Sequence, residues 1–137
     1  MNITFNEDNE MNIQLGQQPD EDIFLILSDD LNVIDEDLTI PYKEKIIHFI
    51  KDSDKWYAPF KEYIFDWGKK EYNTEKVEQN FSLINIYVLF EQEEEEIFGL
   101  EYGVQFDEEH NCGIKVKRID NKNFEIYEIG TGDVAFC

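Results

Sequence analysis

Residues 98–136 read FGLEYGVQFDEEHNCGIKVKRIDNKNFEIYEIGTGDVAF, and this stretch decides the fold. Phe98, Leu100, Tyr102, Val104 and Phe106 alternate with Gly99, Glu101, Gly103 and Gln105. Successive side chains of a strand point to opposite faces, so the run is a half-buried β-strand. The loop Asp107-Glu108-Glu109-His110-Asn111-Cys112-Gly113 follows, and Ile114 and Val116 open a second strand. Asn121-Lys122-Asn123 is a polar turn into a third strand, Phe124 to Ile129, and Gly130-Thr131-Gly132-Asp133 turns the chain into Val134-Ala135-Phe136. Turn residues between short β-rich runs predict an antiparallel meander.

Upstream, Phe81 to Phe90 is apolar on both faces, as a central strand is. Glu91 to Glu96 forms the hairpin tip, and the repulsion of four consecutive glutamates, Glu93, Glu94, Glu95 and Glu96, keeps it wet. Pro41 starts a helix whose apolar stripe is Tyr42, Ile46, Phe49 and Ile50, with Glu44 and His48 facing solvent. Asp52-Ser53-Asp54 ends it. A second helix has Pro59 in its first turn, where the missing N–H costs least, and a stripe of Phe60, Tyr63, Ile64 and Trp67. Gly68-Lys69-Lys70 is its C-terminal signal, the alternative end being Tyr72. In the first forty residues, Ile3–Phe5 and Met11–Leu15 are hairpin candidates, Ile23 to Leu27 is a strand buried on both faces, and Leu31 to Ile40 is one more strand or irregular. The fold class is α+β: N-terminal strands and a C-terminal meander in one antiparallel sheet, with two helices on one face. Residues 1–137 make a single domain, with a β-rich start over 1–40, helices over 41–72 and the meander over 81–136.

A chain of 137 residues buries roughly two-thirds of its unfolded surface and folds without a metal or disulfide. Thirty-two acidic against twelve basic residues give a net charge of −20 and a pI near 4.2. Such a charge repels phosphate backbones and anionic membranes, and it either attracts basic partners or simply keeps the protein soluble. Met1 to Phe5 lacks a basic n-region and an apolar h-region, and no apolar run approaches a membrane span, so the expectation is a cytoplasmic protein with neither nucleic acid nor membrane as partner. Cys112 and Cys137 lack metal-ligand spacing and are read as reduced thiols.

The acids gather in two segments: Asp29, Asp30, Asp35, Glu36 and Asp37 within a Lys- and Arg-free start, and Glu93 to Glu96 at the hairpin tip. The first lacks the central Gly and distal Glu of a calcium loop, so it is a solvated acidic face. Both segments are candidate partner-binding surfaces. Asp107, Glu109, His110, Gly113 and Asp133 form the second constellation. A histidine among carboxylates can serve as a base or take a metal, but ligands two apart on an extended loop diverge. The reading preferred here is a structural turn locked by Asp107 and His110, with no catalytic residue, metal or cofactor. No zinc-protease, nucleophile-elbow, Walker or dinucleotide motif is present, so the chain is not expected to be an enzyme.

Phe106, Asp107, Glu109, His110 and Gly113, followed by Gly132, Asp133, Val134, Ala135 and Phe136, resemble a family of uncharacterised small bacterial proteins. Its members have an aromatic-Asp-x-Glu-His-Gly-x-Gly turn before a strand and close on Asp-Val/Ile-Ala-Phe. The likeness covers the last third of the chain. It departs where the usual Trp is Phe106 and where the Gly after His is Asn111, the non-Gly residue that best tolerates positive φ. The resemblance implies an accessory gene in a toxin–immunity neighbourhood. Three readings follow: an immunity protein neutralising a basic toxin, a ligand- or metal-binding module using the Asp107–His110 loop, and an enzyme with unfamiliar residues. The first accounts best for charge, size and lack of motifs.

Overall fold

Six strands form one sheet in chain order: β1 (Glu10–Ile13), β2 (Ile23–Leu27), β3 (Ser82–Val88), β4 (Ile97–Gly103), β5 (Cys112–Arg118) and β6 (Phe124–Thr131). They are seen in a computed structural model that describes residues 1–72 and 81–137. From β3 onward the sheet is the predicted antiparallel meander, with Phe98 opposite Val116 and Tyr102 opposite Cys112. β1 and β2 extend it antiparallel, but β2 pairs parallel with β3, Leu25 opposite Ile86. The helices α1 (Ile40–Lys51) and α2 (Ser53–Glu71) lie between these two strands in sequence, and a crossover of that length is what parallel neighbours require.

The helices pack on one face. Thr39 caps α1 by accepting from the Tyr42 N–H, Pro41 sits in its first turn, and Tyr42, Ile46, Phe49 and Ile50 are buried while His48 is exposed. The Phe49 ring stacks on Phe98 of β4 at 3.9 Å between centroids and on Trp56 of α2 at 4.8 Å. Tyr42 donates its hydroxyl to the Phe90 carbonyl at 2.8 Å, tying α1 to the end of β3. These residues join Leu83, Ile86, Leu100, Tyr102, Ile114 and Val116 in one apolar cluster.

Several elements differ from the sequence expectation. α2 begins at Ser53, so Pro59 lies inside it. Burial of Trp56 and Tyr57, which precede the proline, outweighs the ~3 kcal/mol that an interior proline costs. The buried stripe of α2 is Trp56, Tyr57, Phe60, Ile64 and Gly68, while Tyr63 is 47% exposed. Gly68 packs within the helix, which continues to Glu71. Ile3–Phe5 forms no strand; β1 hairpins with β2 instead. β2 is buried on one face only, because Phe24 is 41% exposed. Leu31 to Ile40 contains a 3-10 turn, Asn32–Asp35. Cys112 belongs to β5, where it is buried, and not to the acidic loop. Val104 is buried after β4 ends, and Phe106 falls in a 3-10 turn, its side chain lying outside what is described.

Over β4 and β5 the second face of the sheet is covered by the last residues of the chain. The 3-10 turn Gly132–Ala135 lies on β4 and β5, where Gly99 and Gly113 leave room for backbone: a Cβ at Gly113 would come within 2.8 Å of the Ala135 nitrogen. Glycine in a strand interior marks such close approach. Across β1 to β3 this face stays open and carries Asn12, Phe24, Ile26, Asn85 and Tyr87.

Candidate functional site

The two acidic segments meet. Glu91, just beyond β3, accepts from the backbone N–H groups of Asn32 (3.1 Å) and Val33 (2.9 Å), which open the 3-10 turn Asn32–Asp35. Its neighbour Gln92 accepts from the Thr39 N–H at 2.8 Å and donates to the Glu36 carboxylate and the Asp37 carbonyl, each at 3.1 Å. Two side chains of the hairpin tip thus hold the loop before α1, and between them opens a cleft of about 720 Å³. Glu36, Glu91, Glu93 and Glu94 line it with Asn32, Thr39, Pro41 and Gln92, and among the described residues no cationic one lines it. Asp35 and Asp37 are exposed beside the cleft.

The remaining acids stand elsewhere. Glu95 pairs with Lys117 at 2.8 Å, and Glu96 pairs with the Arg118 Nε at 3.1 Å. Glu96 is only 15% exposed, against the expectation that the whole tip is wet. Arg118 makes this possible: it bridges Glu96 to Asp52, at the junction of the helices, and lies over the Phe124 ring. Asp29 and Asp30 flank a separate hollow of about 290 Å³ on the open sheet face.

In the Asp107 turn the carboxylate gathers three donors: the Tyr72 hydroxyl at 2.5 Å, the His110 N–H at 3.3 Å and the His110 ring Nδ1 at 2.9 Å. The Tyr72 hydrogen bond foremost, with His110 next among the favourable partners, holds the Asp107 carboxyl below its usual range, and Asp107 in turn raises His110. Burial and Asp107 push the Tyr72 phenol up to about 12. The Cys112 thiol is likewise pushed up to about 12 by burial, so it is no nucleophile near neutral pH. Asn111 adopts φ 59, the left-handed conformation that glycine would otherwise supply. Gly132 donates its N–H to the His110 carbonyl at 2.9 Å, and Asp133 accepts from the Thr131 hydroxyl, so the turn and the chain's end interlock. Gly113 is buried beneath that end, while Glu109 is exposed. Among the described residues, no three His, Cys, Asp or Glu side chains converge as metal ligands do.

One polar centre escapes a reading of the sequence. Glu101, on the second face of β4, accepts from Asn85 (3.0 Å) and the Tyr87 hydroxyl (3.1 Å) through Oε1, and from Asn111 (3.0 Å) through Oε2. Three neutral donors fix this carboxylate and tie the open sheet face to the Asp107 turn. The alternation of β4 placed Glu101 on this face, but its partners lie up to sixteen residues away in sequence. No described helix is long and apolar enough to cross a membrane. Set against family models, curated proteins and solved structures, the chain matches none.

Proposed function

We propose that this chain is an acidic interaction protein of the bacterial cytoplasm, an immunity protein that seats on a basic toxin and blocks it without catalysis of its own. The observation that carries the reading is the assembly of the cleft. Gln92 bonds to Glu36 and Asp37, so segments more than fifty residues apart present their carboxylates as one surface. A net charge of −20 opposes folding by self-repulsion, and concentrating part of it in a hydrogen-bonded cleft adds to that cost. A basic partner offsets the repulsion, and the potential steers its approach. The resemblance of the Asp107 turn and the Gly132–Phe136 end to proteins of toxin–immunity neighbourhoods supports the same assignment, on those residues alone.

The test is to express each adjacent gene product with and without this protein. The expected result is a basic product that arrests growth alone, is tolerated on co-expression and co-purifies with this chain. If no neighbour is toxic and none co-purifies, the acidic surface serves solubility and the proposal falls.

A further inference from the structure

We infer that the hollow bounded by the end of β2, the middle of β3 and Phe136 receives one arginine side chain of the basic partner, an inference that rests on the interaction reading above. Ile26, Ser28, Asp29, Asp30, Tyr87, Phe136 and Cys137 line about 290 Å³, enough for one long side chain and too little for a folded element. Its floor is aromatic: the Tyr87 and Phe136 rings lie 5.4 Å apart and are inclined at 48°. The Tyr87 hydroxyl is anchored on Glu101, so its ring is held in place before any ligand arrives. Phe136 is 39% exposed and Phe24 41%, an apolar surface left open on an otherwise highly charged protein. Asp29 and Asp30 are exposed at the rim, and neither pairs with a cation among the described residues.

The chemistry selects the occupant. An apolar floor with two carboxylates at the mouth suits a side chain with an apolar stem and a cationic head. Guanidinium stacks on aromatic faces, is more weakly hydrated than ammonium and meets carboxylates through a planar fork, so arginine is preferred to lysine. A second copy of this chain is disfavoured as occupant, because two bodies of net charge −20 repel. Lys115, which lines an adjoining hollow with Asp30, Phe136 and Cys137, is engaged by Glu128 and the Cys137 carbonyl. Exposed ion pairs add little affinity, whereas an arginine stacked in a desolvated hollow is a common energetic centre of an interface. The acidic cleft then governs approach, and this hollow governs residence.

The probe is an acetylated, amidated Gly-Ser-Arg-Ser-Gly peptide titrated into the isotopically labelled protein by NMR, beside twins carrying citrulline or lysine. Saturable shifts should centre on Ile26, Asp29, Asp30, Tyr87 and Phe136, with citrulline weaker by about tenfold, the scale of a cation–π contact plus a charge-assisted bond. Phe136→Ser, and separately the pair Asp29→Asn and Asp30→Asn, should weaken arginine binding to the citrulline level. The Asn pair alters only exposed groups, so it serves even if Phe136→Ser fails to fold. Equal affinity for arginine and citrulline, shifts centred on Glu36 and Glu93, or no saturable shift overturns the inference. These outcomes do not depend on any toxin. A toxin that is found, yet binds both variants with unchanged residence time, removes the hollow and leaves the immunity reading standing.

Discussion

Gly99 lies under Ala135 so closely that a Cβ at position 99 would stand 1.7 Å from the Ala135 carbonyl oxygen. The obstacle is backbone, which cannot swing aside as a side chain can. No described glycine has a positive φ, so the demand at Gly99 is for space and not for conformation. Gly99→Ala should therefore lose about 1–3 kcal/mol, the scale of overpacking, or lift the Gly132–Ala135 turn off the sheet. Urea denaturation measures the loss. Gly16→Ala is the control, because beyond its two chain neighbours no described atom lies within 4 Å of the added Cβ, and the change should stay within about 0.5 kcal/mol.

Gln18 acts as a substitute strand at the start of β3. Its amide donates to the Leu83 carbonyl at 2.8 Å and accepts from the Leu83 N–H at 3.0 Å, and the same oxygen takes the Tyr57 hydroxyl at 2.7 Å. Gln18→Leu removes a buried polar group but strands its partners. A loss of roughly 2–4 kcal/mol is expected, from unsatisfied buried groups at about 1–3 kcal/mol each. Thermal melting of the double variant with Tyr57→Phe checks the origin: the second change should cost less in the Gln18→Leu background than alone.

What the sequence discloses and what it conceals differ by range. Local patterns are legible: the alternation of Phe98 to Tyr102, the α1 stripe and the left-handed turn at Asn111 each follow from neighbouring residues. Contacts between distant segments are not. Glu91 reaches Asn32 across fifty-nine residues and Gln18 reaches Leu83 across sixty-five, and no periodicity announces either. Pro59 misplaces the start of α2 because propensity is local, while burial of Trp56 is a tertiary effect. The tail on the second face had a signal in Gly99 and Gly113, glycines inside strands, which mark close backbone approach. Of the acids expected at the partner surface, Glu95 and Glu96 are engaged by Lys117 and Arg118, a pairing fixed by the β4–β5 register.

The Asp107–His110 pair predicts a pH dependence. Asp107 is depressed, so its contribution is present above the unfolded carboxyl value of about 4 and is lost as pH falls through the lower folded value. His110 is raised, so its contribution is complete below the unfolded value of about 6.5 and fades as pH rises through the higher folded value. The pair is therefore strongest between about pH 4 and 6.5. The stability difference between the protein and His110→Gln should be greatest there and shrink on either side. In Asp107→Asn, the His110 titration followed by NMR should fall back toward about 6.5. An unchanged midpoint would mean that the acidic surroundings, and not Asp107, set it.

The cleft predicts how a basic partner arrives. Glu36, Glu93 and Glu94 line it with no cation of the described residues in its lining, whereas Glu95 and Glu96 are held by Lys117 and Arg118. Replacing Glu36, Glu93 and Glu94 by Gln removes three steering charges and leaves both ion pairs in place. Association with a basic partner should slow from the steered regime toward the ~10⁵–10⁶ M⁻¹s⁻¹ of a neutral pair, and its dependence on salt should flatten. Dissociation should change little, because exposed charges act on encounter and buried anchors on residence. Folding stability should hold or rise slightly, since repulsion within the cleft is relieved. Replacing Glu95 and Glu96 should behave oppositely, freeing Arg118 and destabilising the junction at Asp52 with a smaller effect on encounter. Stopped-flow association at several salt concentrations separates the two sets. If both slow encounter equally, steering comes from net charge, and the cleft has no privileged part in it.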